Sequence, residues 1–291
     1  MRKHQTLIML SLALLAGYHC AADVKEISLT SALKKNYVQI QAVALGGYSR
    51  ECLQLSVKNR TTVPLNIHVD NAMIFQPADE HYQDLVVMGG TKIDLGPQKE
   101  KHVALNAFCG KSYAACPRRS MEYKFVRQGD EVMQNVARFI AGHSLYNSIG
   151  QHAIWSLTNN HSLAGIFSYQ DTGLSKQIIK YIAYKTGRPI PEFFTVHKKT
   201  GGLDSEQVFN PEIEKYVVVV EWTKPSNRNM HVFICKENGE LFWEENNETI
   251  SSRGHKVTVE FDPKVIPKGT YTVMLTDDDN MVYQKNVVLV Q

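Results

Sequence analysis

Over residues 24–125 apolar and polar positions alternate in short runs. Cys52-Leu53-Gln54-Leu55-Ser56-Val57 steps in and out with period two, and residues 63–69 do so again after the polar turn Asn59-Arg60-Thr61-Thr62. Further strands are expected at 84–88, 92–95 and 102–107, punctuated by Gly89-Gly90 and Gly96-Pro97. Short strands with turns at this spacing suggest an antiparallel β-sandwich over 23–128.

The period then changes from two to that of a helix. Asp130 is placed to cap a helix reaching to about Ala141, with Val132, Val136, Phe139 and Ile140 on one side. A second helix is expected from about Leu145 to Leu157, buried along Ile149, Ala153, Ile154 and Leu157. A third, from Leu174 to Lys185, buries Ile178, Ile179, Ile182 and Ala183 and stops at Gly187 and Pro189. These make a helical segment over 129–197, packed on the first domain. A polar, Gly-containing linker (198–210) leads to an all-β module over 211–291, with strands expected at 216–222, 230–236, 240–244, 256–261, 269–276 and 282–290. Glu237-Asn238-Gly239-Glu240 and residues 277–280 read as hairpin turns, and the module has the size of an immunoglobulin-like sandwich. The fold class is therefore mainly β with a helical insert, α+β in arrangement.

The N-terminus carries an export signal. Arg2 and Lys3 precede the uncharged run 7–17, too short to span a bilayer, and small residues at Cys20, Ala21 and Ala22 place cleavage after Ala22. The rival is lipidation at Cys20. The mature chain is expected in the periplasm, at the outer surface or secreted, with no transmembrane segment. About 270 residues remain, enough for two ordinary cores. Losing Arg2 and Lys3 takes the formal charge from +3 to +1. A near-neutral body gives no electrostatic case for nucleic acid.

Two stretches carry family resemblances. Cys235-Lys236-Glu237-Asn238-Gly239-Glu240-Leu241, Ile266-Pro267-Lys268-Gly269-Thr270-Tyr271-Thr272-Val273 and Gln284-Lys285-Asn286-Val287-Val288-Leu289-Val290 resemble the elements of the C-terminal sorting domain of the Bacteroidetes type IX secretion system. That resemblance implies contact with the secretion machinery. Phe108-Cys109-Gly110 and Ile149-Gly150-Gln151-His152-Ala153-Ile154-Trp155 resemble the aromatic-Cys and Gln-x-Ala-Ile-Trp elements of the thioester domains of bacterial surface adhesins. It implies a bond from the Cys109 thiol to the Gln151 acyl group, made with loss of ammonia and open to capture by a host amine. The residues alone leave two other fates for Cys109: a free thiol, or a disulfide to Cys116, seven residues along.

The other motifs point less far. Among 11 histidines there is no His-Glu-x-x-His and no Cys-x-x-Cys, so no metal site is assigned. His143, His152 and His161 are the residues placed to converge near the helices. Asp277-Asp278-Asp279-Asn280 suits a turn better than a calcium loop. No nucleophile elbow, phosphate loop or dinucleotide fingerprint appears, and no cofactor is implied. The leading expectation is a non-enzymatic envelope or secreted adhesion protein, binding a protein or glycan, with the C-terminal module for sorting or contact. The alternatives are a covalent adhesin using Cys109 and Gln151, and a hydrolase built around the histidines.

Overall fold

The computed structural model describes residues 24–47, 49–200, 207–222, 229–245, 256–279 and 281–290. The expected signal peptide with Cys20, part of the linker, and Asn280 of the turn lie outside the described residues. The fold is mainly β with a helical insert, as the patterning implied. The first region runs β1 (Lys25–Ser28), α1 (Leu29–Lys34), β2 (Val38–Ala44), β3 (Glu51–Asn59), β4 (Leu65–His68), β5 (Met73–Pro77), β6 (Leu85–Val87), β7 (Lys92–Leu95), β8 (Glu100–Cys109) and β9 (Glu122–Gln128).

These strands close a barrel in the order β2-β3-β8-β6-β5-β9, where the spacing suggested a sandwich. Closure comes from β9, which pairs with β5 and also with Ala42 and Val43 of β2, leaving no open edge. A small sheet, β1-β4-β7, lies beside it, with β1 parallel to β4. Alternation decides what each strand residue meets. Phe75, Leu85, Val87, Ala107 and Cys109 belong to the barrel core. Their neighbours Ile74, Val86, Met88 and Phe108 point outward into a second core shared with the helices.

The insert holds α2 (Glu131–Gly142), α3 (Ser148–Thr158) and α4 (Thr172–Thr186), with a short 3-10 turn at Leu163–Gly165. Asp130 caps α2, its side chain accepting from the Met133 N–H, and Gly187 closes α4 in the left-handed conformation at φ 70°. No helix among the described residues is long and apolar enough to cross a membrane.

β10 (Phe194–His197) ends the segment expected to be helical, yet it pairs with β11 (Ile213–Glu221). The remaining strands are β12 (Met230–Lys236), β13 (Leu241–Glu245), β14 (Lys256–Phe261), β15 (Gly269–Asp277) and β16 (Val282–Val290). Sheets β10-β11-β14 and β13-β12-β15-β16 face each other as a sandwich around Val218, Val220, Val232, Ile234, Val273 and Leu275. The Gly-x-Tyr-x-Val stretch has a physical role there, because the Tyr271 hydroxyl donates to the Pro267 carbonyl at 2.7 Å and fixes the entry to β15. β11 is buried on both faces. Its alternate residues Val217 and Val219 join Phe194 in the helical core, so the last module is docked on the insert.

Candidate functional site

The site begins with the alternation at the end of β8. Phe108 turns outward under the helices, which sends the next side chain, Cys109, into the barrel core; both are fully buried. Helix α3 comes down on Phe108 at Gly150. A Cβ there would stand 2.7 Å from Phe108 Cζ and closer still to the Leu145 carbonyl, so only glycine admits this approach. The following residue, Gln151, is thereby delivered to the strand end. Its Oε1 accepts from the Cys109 N–H at 3.2 Å, and its Nε2 donates to the Cys109 carbonyl at 2.8 Å. Both backbone groups of Cys109 are held by one buried carboxamide. Asn147 at the start of α3 and the inward Trp155 complete the seating, Trp155 packing with the barrel core.

Burial pushes the Cys109 thiol well above its ordinary pKa, and the nearby thiols of Cys52 and Cys116 push it further. Cys52, its Sγ 3.4 Å from the Ala107 carbonyl, is raised to about 12, mainly by burial. Three thiols therefore cluster at this end of the barrel. No disulfide joins Cys109 to Cys116, or any other pair of the described cysteines.

Gln151 also lines a cleft of about 810 Å³ between α3, the 165–170 loop, β10 and residues 208–210. His152, Trp155, His197 and Phe209 line it too. The rings are mutually packed: His152 and His197 stack at 5.7 Å, and Phe209 lies 4.3 Å from His161 and 5.3 Å from Trp155. His152 fits because the facing residue is Gly165, where a Cβ would stand 2.9 Å from its Nδ1. Burial, then His197 and His161, take the His152 pKa down to about 3. His161 is lowered by burial, His197 and Arg188, and His197 by burial. All three are neutral imidazoles at neutral pH.

The structure thus brings His152 and His161 together but not His143, which stacks on Phe139 of its own helix at 4.2 Å. The third imidazole is His197, which sits on a strand that the helical pattern concealed. Among the described residues no three His, Cys, Asp or Glu side chains are placed so that together they could hold a metal ion. Ser156 and Ser162 are spent locally, on the Ala153 carbonyl and the Ala164 N–H. Within this cluster it is Ser112 that meets an imidazole, with Oγ 2.8 Å from His161 Nε2. Asp277 serves its turn, Oδ1 accepting from the Asp279 and Met281 N–H groups. Phe209 was legible only as an aromatic before Asn210-Pro211; its place among four other rings came from the fold. Chemically, the arrangement holds the Gln151 carboxamide against both backbone groups of Cys109, at the inner edge of the cleft that Gln151 lines. The chain matches no family model, no curated protein and no solved structure.

Proposed function

We propose that this chain is an exported adhesin that couples covalently to amines through a thioester between Cys109 and Gln151. The observation that carries the reading is the pair of hydrogen bonds between the Gln151 carboxamide and the Cys109 backbone. They hold the Gln151 carboxamide at the residue that bears the nucleophile, and the thiol, which points into the barrel core, has to turn towards it for the reaction to begin. In the forming step, Cys109 Sγ bonds to Gln151 Cδ and the Cδ–Nε2 bond breaks. The thiol proton leaves with the nitrogen as ammonia; burial raises the thiol pKa and so disfavours a free thiolate, which means the proton has to pass to the leaving nitrogen as the new bond forms. Negative charge that develops on Oε1 meets the Cys109 N–H, an oxyanion donor already in place. In the capture step an amine attacks the same carbon, Sγ departs and takes up the amine's proton, and an amide remains. Burial of Cys109 and Gln151 keeps water from competing.

The C-terminal sandwich fits a contact role in this scheme. Phe194, Val217 and Val219 are covered by the helical layer, and Lys176 pairs with Glu221 at 2.8 Å across the same junction. A module removed after export would leave that apolar face open, so retention suits the packing better than cleavage.

Intact mass under non-reducing conditions tests the reading. The mature protein is expected to be lighter by one ammonia and to be labelled by methylamine. Cys109→Ala and Gln151→Ala each restore the full mass and abolish labelling. A wild-type chain at full mass that takes no amine sinks the thioester and leaves a non-covalent binder acting through the cleft.

A further inference from the structure

The cleft beside Gln151 has one wall made by an irregular stretch of the chain, residues 208–210. Phe209 inserts its ring among His161, His197, Trp155 and His152, at centroid distances of 4.3, 4.9, 5.3 and 5.9 Å. Its attachment is of an unusual kind. Val208 and Phe209 are in neither helix nor strand, and among the described residues their backbone makes no hydrogen bond. What seats the segment is the packing of two side chains, Phe209 in an aromatic socket and Val208 beside it against the barrel core. The socket also holds polar atoms the segment does not satisfy: the Trp155 indole Nε1 and His161 Nδ1 are buried without a hydrogen-bond partner. A buried indole N–H lacking an acceptor is costly, and one lining a cleft calls for an incoming carbonyl.

We infer that residues 208–210 occupy the place of a partner peptide, and that the partner is an extended segment whose aromatic side chain replaces Phe209 while an adjacent lysine reaches Gln151. The exchange conserves the apolar packing: one aromatic ring leaves the socket and another enters, so the buried area changes little. The gain comes from hydrogen bonds, since an extended peptide brings a backbone carbonyl that Trp155 can donate to, which Phe209 does not supply. The socket sets specificity, and the carboxamide next to it does the chemistry. The lysine's role rests on the thioester reading; the aromatic exchange does not.

Two N-acetylated peptides separate the parts, one with Phe beside Lys and its twin with Ala in place of Phe. Affinity is read by fluorescence polarisation on a chain carrying Cys109→Ala, which cannot form a thioester. With Phe209→Ala added, the Phe peptide is expected to bind about tenfold more tightly than its twin, and more tightly than it binds when Phe209 is present. Should Phe209→Ala not melt cooperatively, Phe209→Leu is used, with the same order and a smaller ratio. Equal binding of the two peptides, or binding that weakens when Phe209 is removed, overturns the inference. On the chain that keeps Cys109, adduct formation is expected to follow the same order. Preferential binding without any adduct or ammonia loss defeats the thioester alone. Methylamine labelling without peptide preference defeats the socket alone.

Discussion

The helical insert has two buried flanks, and they are built from opposite materials. Towards the C-terminal sandwich it presents Ile178, Ile179, Ile182 and Phe167 to Phe194, Val217 and Val219, an apolar centre with the Lys176–Glu221 pair beside it. Towards the barrel, beside Phe108 and Ile149, it presents a carboxamide to a cysteine backbone and leaves three thiols in the same region. Apolar burial alone would have held both flanks, and it does so with less risk of unsatisfied groups. The polar flank is therefore the informative one. There, a glutamine that could have been a leucine is kept in a position where only exact pairing prevents a penalty.

The sharpest way to break this comparison is to charge the apolar flank. Val217→Asp places a carboxylate at a fully buried site without a partner, and should cost about 4 kcal/mol or more. Thermal melting is expected to show loss of the cooperative transition for the whole chain. If the barrel and insert melt unchanged, the sandwich is not part of their core. On the polar flank, Gln151→Ala strands the Cys109 N–H and C=O and should cost about 2–3 kcal/mol, measured by denaturant unfolding. A change below about 0.5 kcal/mol would mean that water replaces the carboxamide, and with it that the junction is open.

Acid probes the cleft between the flanks. The folded His152 pKa lies near 3 against an ordinary 6.5, so the unfolded chain binds more protons below 6.5. Stability attributable to it is complete above 6.5 and falls as pH drops towards 3, by roughly 2 kcal/mol at pH 5. His161 and His197, also lowered, add in the same direction. Melting temperature measured from pH 7 to pH 4.5 should decline more steeply in the wild type than in His152→Asn; parallel curves would place His152 in solvent. The smallest effect belongs to neither flank. Asp130→Ala removes the α2 cap and should cost about 1 kcal/mol, visible as a modest fall in melting temperature.

Much of the secondary structure was legible because burial has a period. The expected strands at 92–95, 230–236, 256–261 and 282–290 coincide with β7, β12, β14 and β16, and Asp130 and Gly187 bound their helices as capping chemistry requires. α1 and the strands β1, β2, β5, β9 and β10 were not among the expected elements. In β5, Met73-Ile74-Phe75 is apolar on consecutive residues, because one face meets the barrel core and the other the helices. A strand covered on both sides loses its alternation. β9 is the converse, with most of its residues exposed or half-buried, so its pairing with β2 and β5 leaves little trace in hydropathy.

From the sequence came the places of many helices and strands, the caps that bound two of the helices, and the resemblance that links Cys109 with Gln151. Those are properties of local periodicity, capping and residue type, written within a few turns of chain. The tertiary structure alone set that β9 closes the first sheet into a barrel, that His197 rather than His143 joins His152 and His161, and that Phe209 packs among the rings that line the cleft. It also decided that Gln151 meets Cys109, across 42 residues of sequence. Each of these depends on two elements approaching closely, through the missing side chain of Gly150 or the paired edges of β2 and β9. Contacts of that kind are set by the packing of distant surfaces, which no local pattern encodes.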